Sequence, residues 1–518
     1  MLRDEANYDA AVIGGGVAGL TAALHLAERG PRPLVLEADP QQPGGRLKGG
    51  SPIEFDQAGR TWRFRTEHGV HGIWSPYRNL QAVLARHRIR PILVPAREEA
   101  WIHADRHRVR WAAIGTAVRH SWAPAPFHYL GLFARPSFLA MLGLSDLLSL
   151  PHALAGILVG LSIDPLETGR PRLAFSMAEY CRHWSPKLTE MCLGLTRNAI
   201  PASLDQLPAL SFIAFLRFYT LRRRGDWAFS YLPDDGGSSV VAPLAAALAA
   251  HGGELRLGAR VVRLERPADG WEVVWEQAPS ASKHRLQVPH VILAADAPAA
   301  EALLRASPAT TELASPLRLP AGVPTNIVRL WFSRPPRISY EAGIFTGDLI
   351  LDNFFWLHRI YNDYIEWGRA TGGSALEAHV YGPPEVLARP DDVLLSQAVA
   401  DVERAWPELK GHLLHAALAR NEATHTLLSI GPAQEHLAIS SPWPGLLCCG
   451  DWVRDPSPTL FLERACVSAI KAANAVLAEQ GLRPWPLLDD LPPEPLAGVI
   501  EGWMHGLRLA FRRLARGM

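Results

Sequence analysis

The stretch YDAAVIGGGVAGLTAALHLAERGPRPLVLE, residues 8–37, reads as strand, glycine turn, helix, strand and acid. An apolar run over 10–13 ends at Gly14, and glycines recur at Gly16 and Gly19. A helical stretch continues to Arg29, where Gly30 stops it, and a second apolar run over 33–36 ends at Glu37. Gly14 permits the tight turn, Gly16 lets backbone approach a pyrophosphate, and Gly19 lets the helix pack on the strand. The start of the helix, at Val17 and Ala18, offers free N–H groups and a positive dipole end to phosphates. Glu37, followed by Ala38, can accept both hydroxyls of a ribose. A GxGxxG that follows a strand, opens a helix and is completed by an acid predicts a dinucleotide-binding unit. A tight turn in an unrelated α/β unit is the competing reading.

Two further stretches bear on which dinucleotide. PGGRLKGG, residues 43–50, is a second paired-glycine loop, with Gly44, Gly45 and Arg46. It suggests more phosphate or flavin to hold, although a surface turn would look the same. GLLCCGDWVRDPSPTLFLERACVSAIKAANAVLAEQG, residues 445–481, predicts a buried strand over 446–449, ended by Gly450 and Asp451. A helix from about Thr459 to Glu479 follows. A carboxylate there can take ribityl hydroxyls, and the helix dipole can stabilise charge on a reduced ring. Alone, Asp451 reads as an ordinary turn acid.

The bulk numbers fit these pieces. With 518 residues, 48% hydrophobic and 20% charged, the chain can bury a large core in roughly two to four domains. Its net charge of +1 gives no global field to recruit nucleic acid. Five cysteines without CxxC or Cys/His zinc spacing suggest a reducing cytosol rather than a disulfide framework. No charged-then-apolar leader precedes Tyr8, so no secretory signal is expected.

Residues 10–46 and 446–475 resemble the two ends of the FAD-dependent amine oxidase and carotenoid desaturase superfamily. YLPDDGGSSVVAPLAAALAAHGGELRLGARVVRLE, residues 231–265, resembles the turn, helix and strand that precede the family's adenine-contacting valine, here Val261. VPHVILAADAPAA, residues 288–300, resembles the strand that re-enters the FAD domain. The resemblance implies an α/β fold with α+β insertions. A glutathione-reductase-type Rossmann FAD domain would be assembled from 1–85, 228–300 and 420–481. An interleaved substrate and membrane-facing domain of antiparallel sheet plus helices would take 86–227 and 301–419, leaving 482–518 as linker and amphipathic helix. The implied cofactor is FAD, held by Gly14, Gly16, Val17, Ala18, Gly19, Glu37 and Ala38. Further contacts fall on Gly44, Gly45, Arg46, Gly69, His71, Val261, Gly450, Asp451 and Leu460.

TEHGVHGIWSPYRNL, residues 66–80, narrows the resemblance. Glu67, Gly69, His71, Tyr77, Asn79 and Leu80 resemble the spacing in plant-type phytoene and ζ-carotene desaturases and in aromatic-carotenoid (isorenieratene-type) synthases. Metal binding is not expected, because Glu67, His68 and His71 lack a further ligand nearby. Glu67 and His71 are the candidate catalytic residues, and no dedicated base can be named. His71 as a hydrogen-bonded core histidine is the bland alternative. Glu463-Arg464-Ala465 departs from the family's Glu-Gly-Ala, which favours the aromatic-carotenoid branch over a plain phytoene desaturase.

FHYLGLFARPSFLAMLGLSDLLSLPHALAGILVGLSI, residues 127–163, reads as cap helices around an apolar tunnel, in contact with one leaflet, or as a buried hairpin. TNIVRLWF, GIFTGDLIL and LEAHVYG give strand signals between 325 and 382. Phe354, Phe355, Trp356 and Tyr361 suit a pocket wall or a core. In the tail, Leu496, Val499, Ile500, Trp503, Leu507, Phe511 and Leu514 recur at helical spacing, with Arg508, Arg512 and Arg516 beside them. This predicts a basic amphipathic helix, over 496–516, on a membrane surface. The expected protein is a cytoplasmic, peripherally attached FAD oxidoreductase acting on a long apolar isoprenoid such as a carotenoid. Hydride would pass to flavin N5, with a quinone or oxygen as final acceptor. Amine oxidase-like, protoporphyrinogen oxidase-like and hydroxysqualene dehydroxylase-like chemistry, or a non-catalytic prenyl-lipid carrier of the same fold, are the alternatives.

Overall fold

A parallel sheet of five strands runs in the order Glu254–Arg256, Pro33–Leu36, Ala10–Ile13, His290–Leu293, Leu446–Cys448. It belongs to a computed structural model that describes residues 2–3, 7–106, 108–163, 165, 175–197, 200–338, 340–428 and 436–516. The central strands are apolar at nearly every position because both faces of the sheet are covered. Alternate residues face alternate layers. Ala10 and Val12 join a core with the helices Val17–Ala27 and Phe461–Glu479. Ala11 and Ile13 pack instead with Trp271, Trp275 and Leu286. Those three sit on an antiparallel meander of Ala259–Glu265, Trp271–Gln277 and Ser282–Val288.

A second sheet has seven strands in the order Leu413–Thr426, Gly322–Phe332, Ser374–Val380, Asn353–Trp356, Ala342–Gly347, Glu99–Ala104, Val109–Ala113. It differs from the expected antiparallel sheet in two respects. Ala342–Gly347 pairs parallel with Glu99–Ala104, so the sheet is mixed. The strands Glu99–Ala104 and Val109–Ala113 also come from the first insertion, where no strand had been singled out from the sequence. The boundary expected at residue 420 falls inside Leu413–Thr426, a strand paired along most of its length with Gly322–Phe332, so the chain cannot divide there. One face of this sheet packs on the helix Asp391–Ala405 through Leu394, Ala398 and Val402. The other face looks towards residues 53–71.

The helix Leu144–Ser162 is the one helix among the described residues that is long and apolar enough to cross a membrane. Leu144 and Leu148 stand exposed on it. The helix Pro495–Arg516 packs against it. Glu501 on the latter pairs with Arg217 at 2.6 Å, fastening the tail to the cap. The side chains of Phe511, Arg512, Leu514 and Arg516 lie outside the described residues. Arg508 does not stand free of the protein, since its Nε and Nη2 are closed off from solvent. All five cysteines are unpaired thiols.

Candidate functional site

The glycine turn after Ala10–Ile13 is built as its residue types require. Gly14 has φ +106°, and a Cβ there would lie 3.0 Å from the Ala294 carbonyl. A Cβ on Gly19 would run into the Gly14 carbonyl oxygen, so helix and strand touch backbone to backbone. Gly16 is different: its Cβ would meet only the Gly44 oxygen, at 3.9 Å. Gly44 N donates to Gly15 O at 2.9 Å, which sets the loop of Gly44, Gly45 and Arg46 beside the first turn. The result is a groove of bare backbone at the N-terminus of Val17–Ala27. That helix has no side-chain cap and no acid in its first turn, leaving its N–H groups and positive dipole end for an anion.

Glu37 closes one end of the groove. Its Oε2 accepts from Gly15 N at 2.7 Å and its Oε1 from Asp39 N at 2.8 Å. Ala38 is exposed next to it. The Glu37 carbonyl takes a hydrogen bond from Ala259 N, which ties in the strand carrying Val261. At the other end Arg46 Nη2 meets the buried Asp451 carboxylate at 2.8 Å. Asp451 also accepts from Thr426 Oγ1 at 3.1 Å. Gly450, with φ +138°, turns the chain out of Leu446–Cys448 and is held by Ser468.

The 66–71 segment lies between this pair and the second sheet. Glu67 is buried, and its oxygens are fully engaged. They accept from Tyr361 OH, from Gly236 N at 3.1 Å, and pair with His71 Nδ1 at 3.0 Å. This carboxylate therefore holds its own segment instead of facing open space. Gly69 has φ +153°, and a Cβ there would lie 3.1 Å from His379. Behind it, Arg329 and Glu377 stand opposite each other on neighbouring strands, 2.6 Å apart, with His379 Nε2 2.8 Å from Glu377. Val70 N donates to the same carboxylate at 2.8 Å. Burial opposes charge on Glu377, yet Arg329, His379 and Val70 outweigh it and hold its pKa down at about 2.

The second half of the stretch reaches the other end of the chain. Glu463 accepts from Asn79 N, Asn79 Nδ2 and Leu80 N at 2.8–3.0 Å, capping the helix Arg78–Arg86. Tyr77 OH lies 2.6 Å from Tyr219 OH. Leu460 is buried just before the helix Phe461–Glu479. Arg464 turns back to the carbonyls of Thr459 and Ser457, so it caps the loop and leaves no long side chain standing out of it.

Gly14 to Gly19, Glu37, Gly44 to Arg46 and Asp451 are thus gathered around one groove, with Gly69 and His71 on the segment beyond. Val261 stands on the adjoining meander, at a bulge. Arg329, Glu377 and His379 were not anticipated from the sequence, and Tyr361 was expected only as a pocket-wall or core aromatic. Phe354 and Trp356 face the core beneath the sheet, whereas Phe355 and Tyr361 face the site side, Phe355 at 5.3 Å from the His379 ring. Among the described residues, Glu28, His87 and His251 could share a metal ion. They sit at the far end of Val17–Ala27, and Arg86 already occupies Glu28 at 2.8 Å.

This fold is shared with solved amine oxidases. A cyclohexylamine oxidase from Brevibacterium oxydans superimposes with a TM-score of 0.65 at 13% identity, over 92% of this chain and 100% of that one. A putrescine oxidase bound to putrescine gives 0.63 at 13% identity, over 92% and 99%. At that identity the likeness shows the fold alone. Residues 17–477 match the model of the flavin containing amine oxidoreductases, and the chain belongs to that family. It is an FAD-dependent oxidoreductase. The backbone groove left open at Gly16, the uncapped helix N-terminus and the buried Asp451 all fit FAD. Two curated proteins are similar over nearly their whole length. The carotenoid phi-ring synthase of Streptomyces griseus is 27% identical over 486 residues, covering 91% of this chain and 88% of that protein. That of Chlorobaculum tepidum is 21% identical over 609 residues, covering 95% and 91%.

Proposed function

We propose that the protein oxidises a carotenoid, by desaturation or by a related change to its end group. The observation that carries this reading is the end-to-end similarity to two proteins named carotenoid phi-ring synthase, from two different bacteria. Bound FAD supplies the hydride acceptor, at N5. The chain's own part is to hold, orient and keep dry. In a glutathione-reductase-type Rossmann arrangement, the groove at Gly14, Gly16, Gly44 and Gly45 takes the pyrophosphate and Glu37 the adenosine ribose. Val261 meets the adenine, and Asp451 meets the ribityl hydroxyls beside Arg46. Gly69 and His71 bring backbone up to the ring, braced by Glu67, Tyr361 and the Arg329–Glu377–His379 cluster. Charge developing along a polyene needs no strong acid or base beside it, so alignment and exclusion of water do the work.

A hydrocarbon substrate lives in the bilayer. The exposed apolar side chains of Leu144–Ser162 and Pro495–Arg516 support a cytoplasmic enzyme docked on a membrane surface, with a quinone or oxygen as final acceptor. The reading is tested by lipid extraction and mass analysis of a host that makes defined carotenoids, with and without this gene. The expected result is a carotenoid that has lost hydrogen in pairs. Unchanged carotenoids, together with flavin reduction by an amine or a porphyrinogen, would overturn it.

A further inference from the structure

Three helices end at one point. Glu28 follows Val17–Ala27, His87 follows Arg78–Arg86 and His251 follows Ala242–Ala250, each as the C-cap residue of its helix. The last carbonyls of a helix carry negative partial charge, so three such ends drawn together favour a cation. The side chains add ligands. A carboxylate oxygen of Glu28 and one nitrogen of each histidine lie within 4.8 Å of one another. Glu28 Oε1 and His87 Nε2 are 3.1 Å apart, close to the roughly 3.3 Å that separates two ligand atoms on a tetrahedral zinc ion. The His251 ring stands edge to face with that of His87, centroids 5.9 Å apart. His251 is exposed, so its side chain has room to turn into the third position.

Arg86 supplies the positive charge beside Glu28. Its Nη2 donates to Glu28 Oε2 at 2.8 Å, while its Nε reaches Glu28 Oε1 and His87 Nε2 only at 3.2 and 3.4 Å. The guanidinium also lies over the Trp485 ring, 4.1 Å from its centroid. A cation on Oε1 therefore displaces only the two longer contacts. Arg86 keeps Oε2 and orients the carboxylate, as hydrogen-bonded partners of metal ligands do. Its charge weakens binding, and Glu28 with the three helix ends offsets that in part. We propose that Glu28, His87 and His251 bind one divalent transition-metal ion of the zinc class, with water completing its coordination on the exposed side. Two imidazoles and a carboxylate suit zinc, whereas magnesium and calcium take oxygen ligands. The ion is structural. Val17–Ala27 has 11 residues, about 16 Å of helix, and these separate the ion from the glycine turn. It pins the far end of the helix whose N-terminus faces the groove, and takes no part in oxidising the substrate.

The test uses untagged, FAD-loaded, full-length protein stripped with a chelator. Zinc chloride is titrated by calorimetry, and melting is followed with and without zinc. Wild type should take up one zinc ion per chain with a micromolar Kd. It should melt about 2 °C higher at a hundredfold excess over Kd. His251→Ala should bind at least tenfold more weakly and lose the shift, while its metal-free melting matches wild type. His251→Asp, which restores a ligand, should recover part of the binding. If His251→Ala is unstable without metal, His251→Asp against His251→Gln decides, and equal zinc affinity in those two would overturn the site. Magnesium at the same concentration should give no shift. No stoichiometric uptake of zinc, uptake unchanged in His251→Ala, or an equal response to magnesium would also overturn it.

Discussion

Arg46 and Asp451 come from opposite ends of the chain and meet at 2.8 Å, with the carboxylate buried and the guanidinium partly open. The pair joins the second glycine loop to the turn after Leu446–Cys448, so one contact fixes the distance between two of the segments that make the groove. Loss of either partner leaves a charge behind in a place with little water.

Asp451→Asn and Arg46→Met should each weaken FAD binding by roughly 10- to 100-fold, the range expected for a lost charge-assisted hydrogen bond. The double variant should be much less than additive, because either change alone removes the same unit. Titration of apoprotein with FAD measures all four species. Strict additivity would mean that the two residues act separately.

Gly16 and Gly19 look alike in the motif and should fail differently. A Cβ at Gly19 collides with the Gly14 carbonyl, so Gly19→Val should destabilise the fold itself by about 1–3 kcal/mol or more. A Cβ at Gly16 has room against the protein, so Gly16→Val should leave apoprotein stability near wild type and abolish the flavin spectrum. Urea unfolding of the two apoproteins separates the cases. Equal destabilisation by both would remove the argument that Gly16 is reserved for a ligand.

The glycine turn was legible because its constraints are local: φ at Gly14 and the Glu37 contact to Gly15 N follow from spacing along one strand–turn–helix unit. Tyr77, Asn79 and Leu80 were legible as a pattern, but the partners, Tyr219 for the first and Glu463 for the other two, were not, since nothing in either stretch encodes a contact across the chain. Glu377 and His379 were passed over for a related reason. In LEAHVYG they alternate with apolar residues like the solvent face of a half-buried strand, yet this sheet is covered on both sides. The clue was a directly opposed arginine, Arg329, which only the register supplies. Glu99–Ala104 and Val109–Ala113 pair with each other as a local hairpin, but the strand that takes this hairpin into the sheet, Ala342–Gly347, lies more than two hundred residues on.

Acid should loosen the floor of the site. The folded-state pKa of Glu377 is held at about 2, below its ordinary 4.5, so the stability it contributes is whole above pH 4.5 and fades as the pH falls towards 2. The linked energy is on the order of 3 kcal/mol. Glu377→Gln should flatten that part of the acid limb in urea unfolding curves. At neutral pH it should be less stable by about 3–5 kcal/mol, because Arg329 is left buried without its counter-charge. An unchanged acid limb would show that other carboxylates dominate there.

The tail helix offers a way to test membrane docking without disturbing the fold. Pro495–Arg516 packs on Leu144–Ser162, so deleting it would uncover a second apolar surface and confuse the result. Val499 and Trp503 are 69% and 66% exposed, and neither is needed to hold the helix in place; Glu501 does that through Arg217. Burying each in a bilayer is worth roughly 1.5–3 kcal/mol when complete. Val499→Glu with Trp503→Glu should therefore reduce sedimentation with anionic liposomes by at least about 100-fold in partition coefficient, while the flavin spectrum and thermal stability stay at wild-type values. Leu148→Glu, on the neighbouring helix and 69% exposed, should add to the loss if the two helices enter one surface together. Liposome binding that survives all three changes would mean that the protein reaches its substrate by another face.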